Sequence, residues 1–281
     1  MRIARLHDGT TIEVQTVGEG PAVLLPVSLA RSDDATAEQM RAWGADPHLG
    51  HTLATGLADA GFRVIAADYE RHLAQHPKPG TLTAAGAAGD LLAVADAAGA
   101  ARFAYYGYSW LALAGLQFAI RTDRLSALAM GGFPPLGGPY QEMLAVTRAT
   151  HRMAVANHQR QTAPPEVTAG DWDSIEVTQS PDFTQQYVTL YESLQDFDER
   201  GALGRLSVPR LAFAGADDTI SYGPKWGDVQ VRIADAFTAH RDELTAGGWQ
   251  VVLVDGADHM RAMQADIVLP ILAPWLWGPH M

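Results

Sequence analysis

The chain has no cysteine among its 281 residues. Disulfide staples, thiolate metal centres and cysteine nucleophiles are therefore excluded. Lysine occurs only at Lys78 and Lys225, and 20 basic residues face 32 acidic ones. The resulting net charge of −12 repels a phosphate backbone, so nucleic acid is not an expected partner. No apolar stretch approaches the ~18 residues a spanning helix needs, so no membrane segment is expected. The N-terminal MRIARLHDGTTIEVQ has no apolar run after Arg2 and Arg5 and does not read as a signal peptide. The expectation is a cytoplasmic protein, monomeric or homodimeric, acting on a small molecule. Internal repeats and low-complexity linkers are also missing. What remains is 47% hydrophobic and 19% charged, enough to bury a sizeable core.

The apolar residues are ordered in a recurring pattern. IEVQTV (12–17) alternates and AVLL (22–25) is continuous, with turns at Asp8-Gly9 and Gly18–Pro21. A polar stretch (31–46) leads to a helix over 48–61. FRVIAAD (62–68) reads as a strand whose unbroken Val64-Ile65-Ala66 suits a sheet buried on both faces. A helix over 82–100, a strand over 101–107, a helix over 109–121 and a strand over 125–132 follow. This alternation predicts right-handed crossovers and an α/β fold with a mainly parallel, doubly wound sheet.

Pro134-Pro135 breaks the rhythm. Residues 136–205 show helical periodicity and carry Tyr140, Trp172, Phe183, Tyr187, Tyr191 and Phe197. Alternation resumes with a strand over 209–215, a helix over 227–246, a strand over 249–256 and a last helix after 260. LPILAPWLW (269–277) reads as a packed helix end despite Pro270 and Pro274. The expected organisation is one α/β core, 1–135 and 206–281, interrupted after its sixth strand by a helical cap, 136–205. Such an insertion lies at the C-terminal ends of the strands, where open α/β sheets bind ligands.

Three loops, each directly after an expected strand, carry chemistry. In YYGYSWLALAG (105–115), Ser109 stands between strand and helix with Gly107 two residues before it. A serine on so tight a turn projects above the sheet, with free helix N–H groups beside it. AGADDTI (214–220) carries Asp217 and Asp218, and DGADHM (255–260) carries His259. A histidine takes the proton of a serine that is a poor nucleophile alone, and a carboxylate orients the imidazole. The bland readings are a helix N-cap for Ser109, a turn residue for Asp218 and a surface histidine for His259.

These residues resemble the α/β-hydrolase family over nearly the whole chain, cap included. Gly107-Tyr108-Ser109-Trp110 is similar to that family's nucleophile elbow. Gly215-Ala216-Asp217-Asp218 looks like its acid loop and favours Asp218 over Asp217. Gly256-Ala257-Asp258-His259 looks like its histidine loop, and GFRVIAADYERH (61–72) like the strand and loop before the long helix. The resemblance implies a triad of Ser109, Asp218 and His259, with the backbone N–H groups of Trp110 and Ser28 as oxyanion donors. It places Val27, Leu29, Tyr108, Tyr140 and Met260 around the substrate. Two departures stand out: Leu111 replaces a small residue two after the serine, and Pro26-Val27 replaces the usual His-Gly. Pro26 has no N–H and a fixed φ.

No metal and no cofactor are expected. His72 and His76 have a spacing that suits a shared ion on a helix, but Pro77 and Pro79 argue for a loop there. GFPPLGGPY (132–140) lacks the Lys-Ser/Thr of a phosphate loop and reads as a hinge. The expected activity is a serine hydrolase cleaving a small, fairly apolar ester, lactone or related acyl compound. One alternative is a non-hydrolytic cyclase, isomerase or ligand-binding protein, motivated by the two departures. A weaker one is an aminopeptidase-like enzyme holding its amine on Glu176, Asp182 or Glu192.

Overall fold

The computed structural model describes residues 2–42, 44–159 and 177–278. Strands β1 (Arg2–Arg5) and β2 (Thr11–Val17) form an N-terminal hairpin, and β2 joins β4 (Arg63–Ala66) antiparallel. The other five strands run parallel to β4: β3 (Ala22–Leu25), β5 (Phe103–Tyr108), β6 (Leu125–Gly131), β7 (Arg210–Gly215) and β10 (Trp249–Val254). The order across this eight-stranded sheet is β1-β2-β4-β3-β5-β6-β7-β10. Order reverses beside β3, and such a point opens a crevice at the strand ends.

The central strands are apolar throughout because both faces are covered. Leu24, Ile65, Tyr105, Leu128 and Ala212 point to one side, packed with helices α4 (Ala84–Ala97) and α5 (Trp110–Ala119). Val23, Val64, Tyr106, Ala127 and Phe213 point to the other, against α2 (Leu49–Asp59) and α11 (Ala265–Leu276). Each fully buried Leu or Phe contributes about 1.5–3 kcal/mol. Small residues set the spacing: a Cβ on Gly115 of α5 would come within 2.3 Å of the Tyr105 ring.

After β6 the chain leaves the sheet. Helices α6 (Tyr140–His158), α7 (Pro181–Glu192) and α8 (Glu199–Leu203) lie in the expected cap region. Ser180 caps α7 by accepting the Phe183 N–H, with Pro181 in the first turn. The Glu199 carboxylate accepts the N–H groups of Gly137 and Gly138 at 2.8 and 2.9 Å, tying the 132–140 hinge to α8. Trp172 and Glu176 lie outside the described residues.

Three local expectations need correction. The polar stretch 31–46 contains a helix, α1 (Asp34–Ala42). The helix expected over 227–246 starts only at Ile233, as α9 (Ile233–Ala246). Before it, β8 (Thr219–Ser221) pairs with β9 (Gln230–Arg232), because Gly227 and Asp228 turn the chain at positive φ. His72 sits in a helix, α3 (Tyr69–Gln75), which Asp68 caps, and His76 ends it. The two rings lie 5.0 Å apart, and among the described residues no group of three or more metal-ligating side chains occurs. The packed helix end expected over 269–277 is there, as α11 runs through Pro270 and Pro274. Both prolines are exposed, so the carbonyls that lose an N–H partner face water. Among the described residues no helix is long and apolar enough to cross a membrane.

Candidate active site

Ser109 joins β5 to α5 with φ 56° and ψ −129°. A non-glycine residue held there stores about 1–3 kcal/mol of strain. Gly107 makes the turn possible: a Cβ on it would lie 2.4 Å from the Leu111 carbonyl oxygen. That carbonyl accepts the Tyr105 hydroxyl at 2.7 Å, so the bulky Leu111 is held in place. The Ser109 N–H donates to Gly131 O at 2.8 Å, which locks the turn to the next strand. Its side chain makes no capping hydrogen bond, unlike Thr83, Ser180 and Asp198 at other helix starts. The N-cap reading therefore does not account for Ser109.

The acid and histidine loops are stitched together at the ends of β7 and β10. Ala216 N–H donates to Val254 O and Asp217 N–H to Ala257 O, at 2.9 and 3.0 Å. Gly215 permits this approach, since a Cβ on it would meet Ala257 O at 2.0 Å. Asp217 is exposed, whereas Asp218 is fully buried and bonds the histidine. The Nδ1 of His259 lies 2.9 and 3.1 Å from the two Asp218 carboxylate oxygens. A proton on Nδ1 satisfies the buried carboxylate and leaves Nε2 as the basic nitrogen. Gly132 makes room for the imidazole, as a Cβ there would lie 3.0 Å from His259 Cε1.

Ser109 and His259 line one cavity of about 470 Å3. Its walls come from both sides: Trp110, Phe133, Ile220, Tyr222 and Met260 from the core, and Met143, Thr147, Tyr187 and Tyr191 from α6 and α7. Among the described residues the lining holds no lysine or arginine; its carboxylate is Asp258 and its imidazole is His259. A serine on a strained turn, a histidine and a buried aspartate thus meet an apolar cavity at the C-terminal edge of the sheet.

No family model and no curated protein matches the sequence. Solved structures do match over the full length. An enol-lactonase from Burkholderia xenovorans LB400 is 19% identical, with 98% of this chain and 99% of that one covered, at TM-score 0.59. A thermophilic esterase from Thermogutta terrifontis is 17% identical, covering 100% and 99%, at TM-score 0.60. An epoxide hydrolase from Vigna radiata is 14% identical, covering 98% and 97%, also at TM-score 0.60.

The chain has the α/β-hydrolase fold.

Within the α/β-hydrolase fold, the expected site residues do not all converge. Ser109, Trp110, His259 and Met260 line the cavity, and Asp218 stands behind His259. Tyr108 does not line it. Its hydroxyl donates to the His259 carbonyl at 2.8 Å and its ring lies 5.2 Å from the imidazole, so it braces the histidine loop. Tyr140 is packed between Phe133 and Phe197 and also stays out of the lining. Val27, Ser28 and Leu29 line a different cavity of about 450 Å3, beside Glu13, Asp68, Arg71 and His76. The cause lies in the loop: Val27 N–H folds back onto Leu25 O at 2.9 Å directly after Pro26. Gly50 of α2 then seats the loop, because a Cβ on it would meet Ser28 O at 2.1 Å. Of the acids considered for an amine, Glu192 pairs with Arg148 at 2.7 Å, and neither it nor Asp182 lines the cavity.

Sequence reasoning missed Glu70. Its carboxylate accepts the Trp110 indole N–H at 2.8 Å, which fixes the side chain next to the serine. Glu70 is open to solvent yet crowded by protein atoms, and this desolvation raises its pKa, against the Trp110 hydrogen bond that lowers it. The signal available was an acid two residues after the capping Asp68, in the first turn of α3.

Proposed function

We propose that this protein is a serine hydrolase that cleaves a small, fairly apolar ester, lactone or related acyl compound through an acyl-enzyme on Ser109. The supporting observation is the strained, uncapped Ser109 in one cavity with a histidine held by a buried aspartate. In this reading Ser109 Oγ attacks the acyl carbon while His259 Nε2 takes its proton. His259 then returns that proton to the leaving oxygen. A water deprotonated by His259 attacks the acyl carbon next and releases Ser109. Asp218 holds the tautomer and stabilises the imidazolium.

The oxyanion needs donors. The Trp110 N–H belongs to the first turn of α5, where amides have no intrahelical partner. Pro26 has no N–H and Val27 has spent its own, so Ser28 carries the next amide on the β3 loop. Loss of one such donor costs on the order of 10²–10³ in rate. The helices after β6 act as a cap that sets specificity. The mainly apolar lining, with no lysine or arginine among the described residues, favours an uncharged acyl group.

The test is hydrolysis of a panel of p-nitrophenyl esters and γ- and δ-lactones by wild type and Ser109→Ala. The reading predicts turnover by wild type and a drop of at least about 10³-fold in the variant. One observation favours a non-hydrolytic cyclase, isomerase or ligand-binding protein: Ser28 faces the neighbouring cavity. Equal, near-background rates in both proteins would support that second reading.

A further inference from the structure

The Ser109 cavity contains polar groups that triad chemistry does not use. Tyr187, Tyr191 and Tyr222 all line it. Outside the lining, Tyr69 is spent on Asp90, Tyr105 on Leu111 O and Tyr108 on His259 O, while the buried hydroxyls of Tyr106 and Tyr140 are unpartnered among the described residues but face no cavity of this site. The hydroxyls of Tyr187, Tyr191 and Tyr222 have no hydrogen-bond partner among the described residues. Tyr191 is only 2% exposed and lines the cavity. Tyr222 reaches the cavity from the other wall, on the segment after β8, where its N–H is fixed to Val229 O at 2.8 Å. Burial pushes both phenol pKa values up, and Tyr222 adds to the rise at Tyr191, so the two are neighbours and both keep their protons. Thr147, the remaining buried polar group of the lining, donates to Leu144 O at 3.1 Å and is not free.

A desolvated hydroxyl without a partner is destabilising, and a ligand oxygen placed against it removes that cost. Two such hydroxyls on opposite walls define a polar subsite inside an otherwise apolar cavity. Among the described residues the lining offers no lysine or arginine, so they supply no such countercharge for a carboxylate there.

We propose that Tyr191 and Tyr222 form a distal subsite that takes a neutral oxygen function, a ketone carbonyl or a hydroxyl, set several bonds away from the acyl carbon that Ser109 attacks. The substrate class is thereby narrowed to oxo- or hydroxy-substituted acyl compounds. This deepens the hydrolase reading and rests on it.

The experiment compares p-nitrophenyl 5-oxohexanoate with p-nitrophenyl hexanoate on wild type, Tyr191→Phe, Tyr222→Phe and the double variant. The expected wild-type preference for the oxo ester in kcat/KM is about tenfold, the scale of one or two neutral hydrogen bonds. Each single variant lowers that ratio and the double variant brings it to about one. Equal ratios in wild type and both single variants overturn the subsite while leaving the hydrolase reading standing. If wild type turns over neither ester, the Ser109 reading fails, and calorimetry with ethyl 5-oxohexanoate and ethyl hexanoate on Ser109→Ala still decides the subsite. A binding preference for the oxo ester that Tyr191→Phe abolishes supports it. No preference, or no binding of either ester, overturns it.

Discussion

Asp90 and Ser109 are polar groups in one fold under opposite conditions. Each carboxylate oxygen of the fully buried Asp90 accepts two hydrogen bonds. One takes His7 N–H and Nδ1 at 2.8 and 2.9 Å, and the other takes the Tyr69 hydroxyl and Lys78 Nζ at 2.7 and 2.8 Å. Lys78 also meets Asp8 at 3.1 Å, while its backbone N–H donates to Gln186 of α7 at 3.0 Å. This cluster fastens the N-terminal hairpin, α3, α4 and α7 into one body. Around Ser109 the backbone is strained, the side chain makes no capping bond, and the phenols of Tyr187, Tyr191 and Tyr222 have no hydrogen-bond partner among the described residues. A polar group whose every valence is filled holds a fold together. One left unfilled beside a cavity is poised for something that is not protein.

The largest effect that bears on this contrast should come from Asp90→Ala. It leaves the buried Lys78 with only the more exposed Asp8 as counterion and strands the Tyr69 hydroxyl, which costs about 3 kcal/mol. A denaturation midpoint close to wild type would show that the cluster does not carry the fold. Ser109→Gly works in the other direction. Glycine relieves the positive φ, and against its larger unfolded-state entropy the net gain is about 1 kcal/mol. The denaturation midpoint should rise while ester turnover disappears. A fall in stability would mean that the serine side chain is structural.

The smallest effect concerns Asp8. Partial burial alone would raise its pKa, but hydrogen bonds from Thr10 and the Lys78 charge outweigh it and hold the carboxyl down to about 2. The unfolded chain therefore takes up this proton first. Stability from Asp8 is complete above the usual carboxylate range and is lost as pH falls toward 2. Asp8→Asn should flatten the acid limb of a stability–pH curve, and an unchanged limb would detach Asp8 from the cluster.

Much of the fold was legible because it follows from local pattern. Val64-Ile65-Ala66 and AVLL carry no polar face, as a strand covered on both sides requires. The three chemical loops were legible for the same reason, since each follows such a strand. What stayed hidden depends on partners distant in the chain. His72 lies in a helix because Asp68 caps it and Leu73 packs inward, whatever Pro77 does later. Pro270 and Pro274 are tolerated because both face water. Ser28 was expected beside the serine, but the Val27-to-Leu25 turn and the contact with Gly50 seat it on the neighbouring cavity. Lys78 was conspicuous only as one of two lysines; that it meets Asp90 and Asp8 in the interior is a tertiary fact.

The most direct measurement is intact mass after treatment with a fluorophosphonate, for wild type, Ser109→Ala and His259→Ala. The account predicts one adduct on wild type, none on Ser109→Ala, and labelling slowed by several orders of magnitude on His259→Ala. Folded wild-type protein that takes no adduct, or an adduct that persists in Ser109→Ala, would contradict Ser109 as the activated nucleophile.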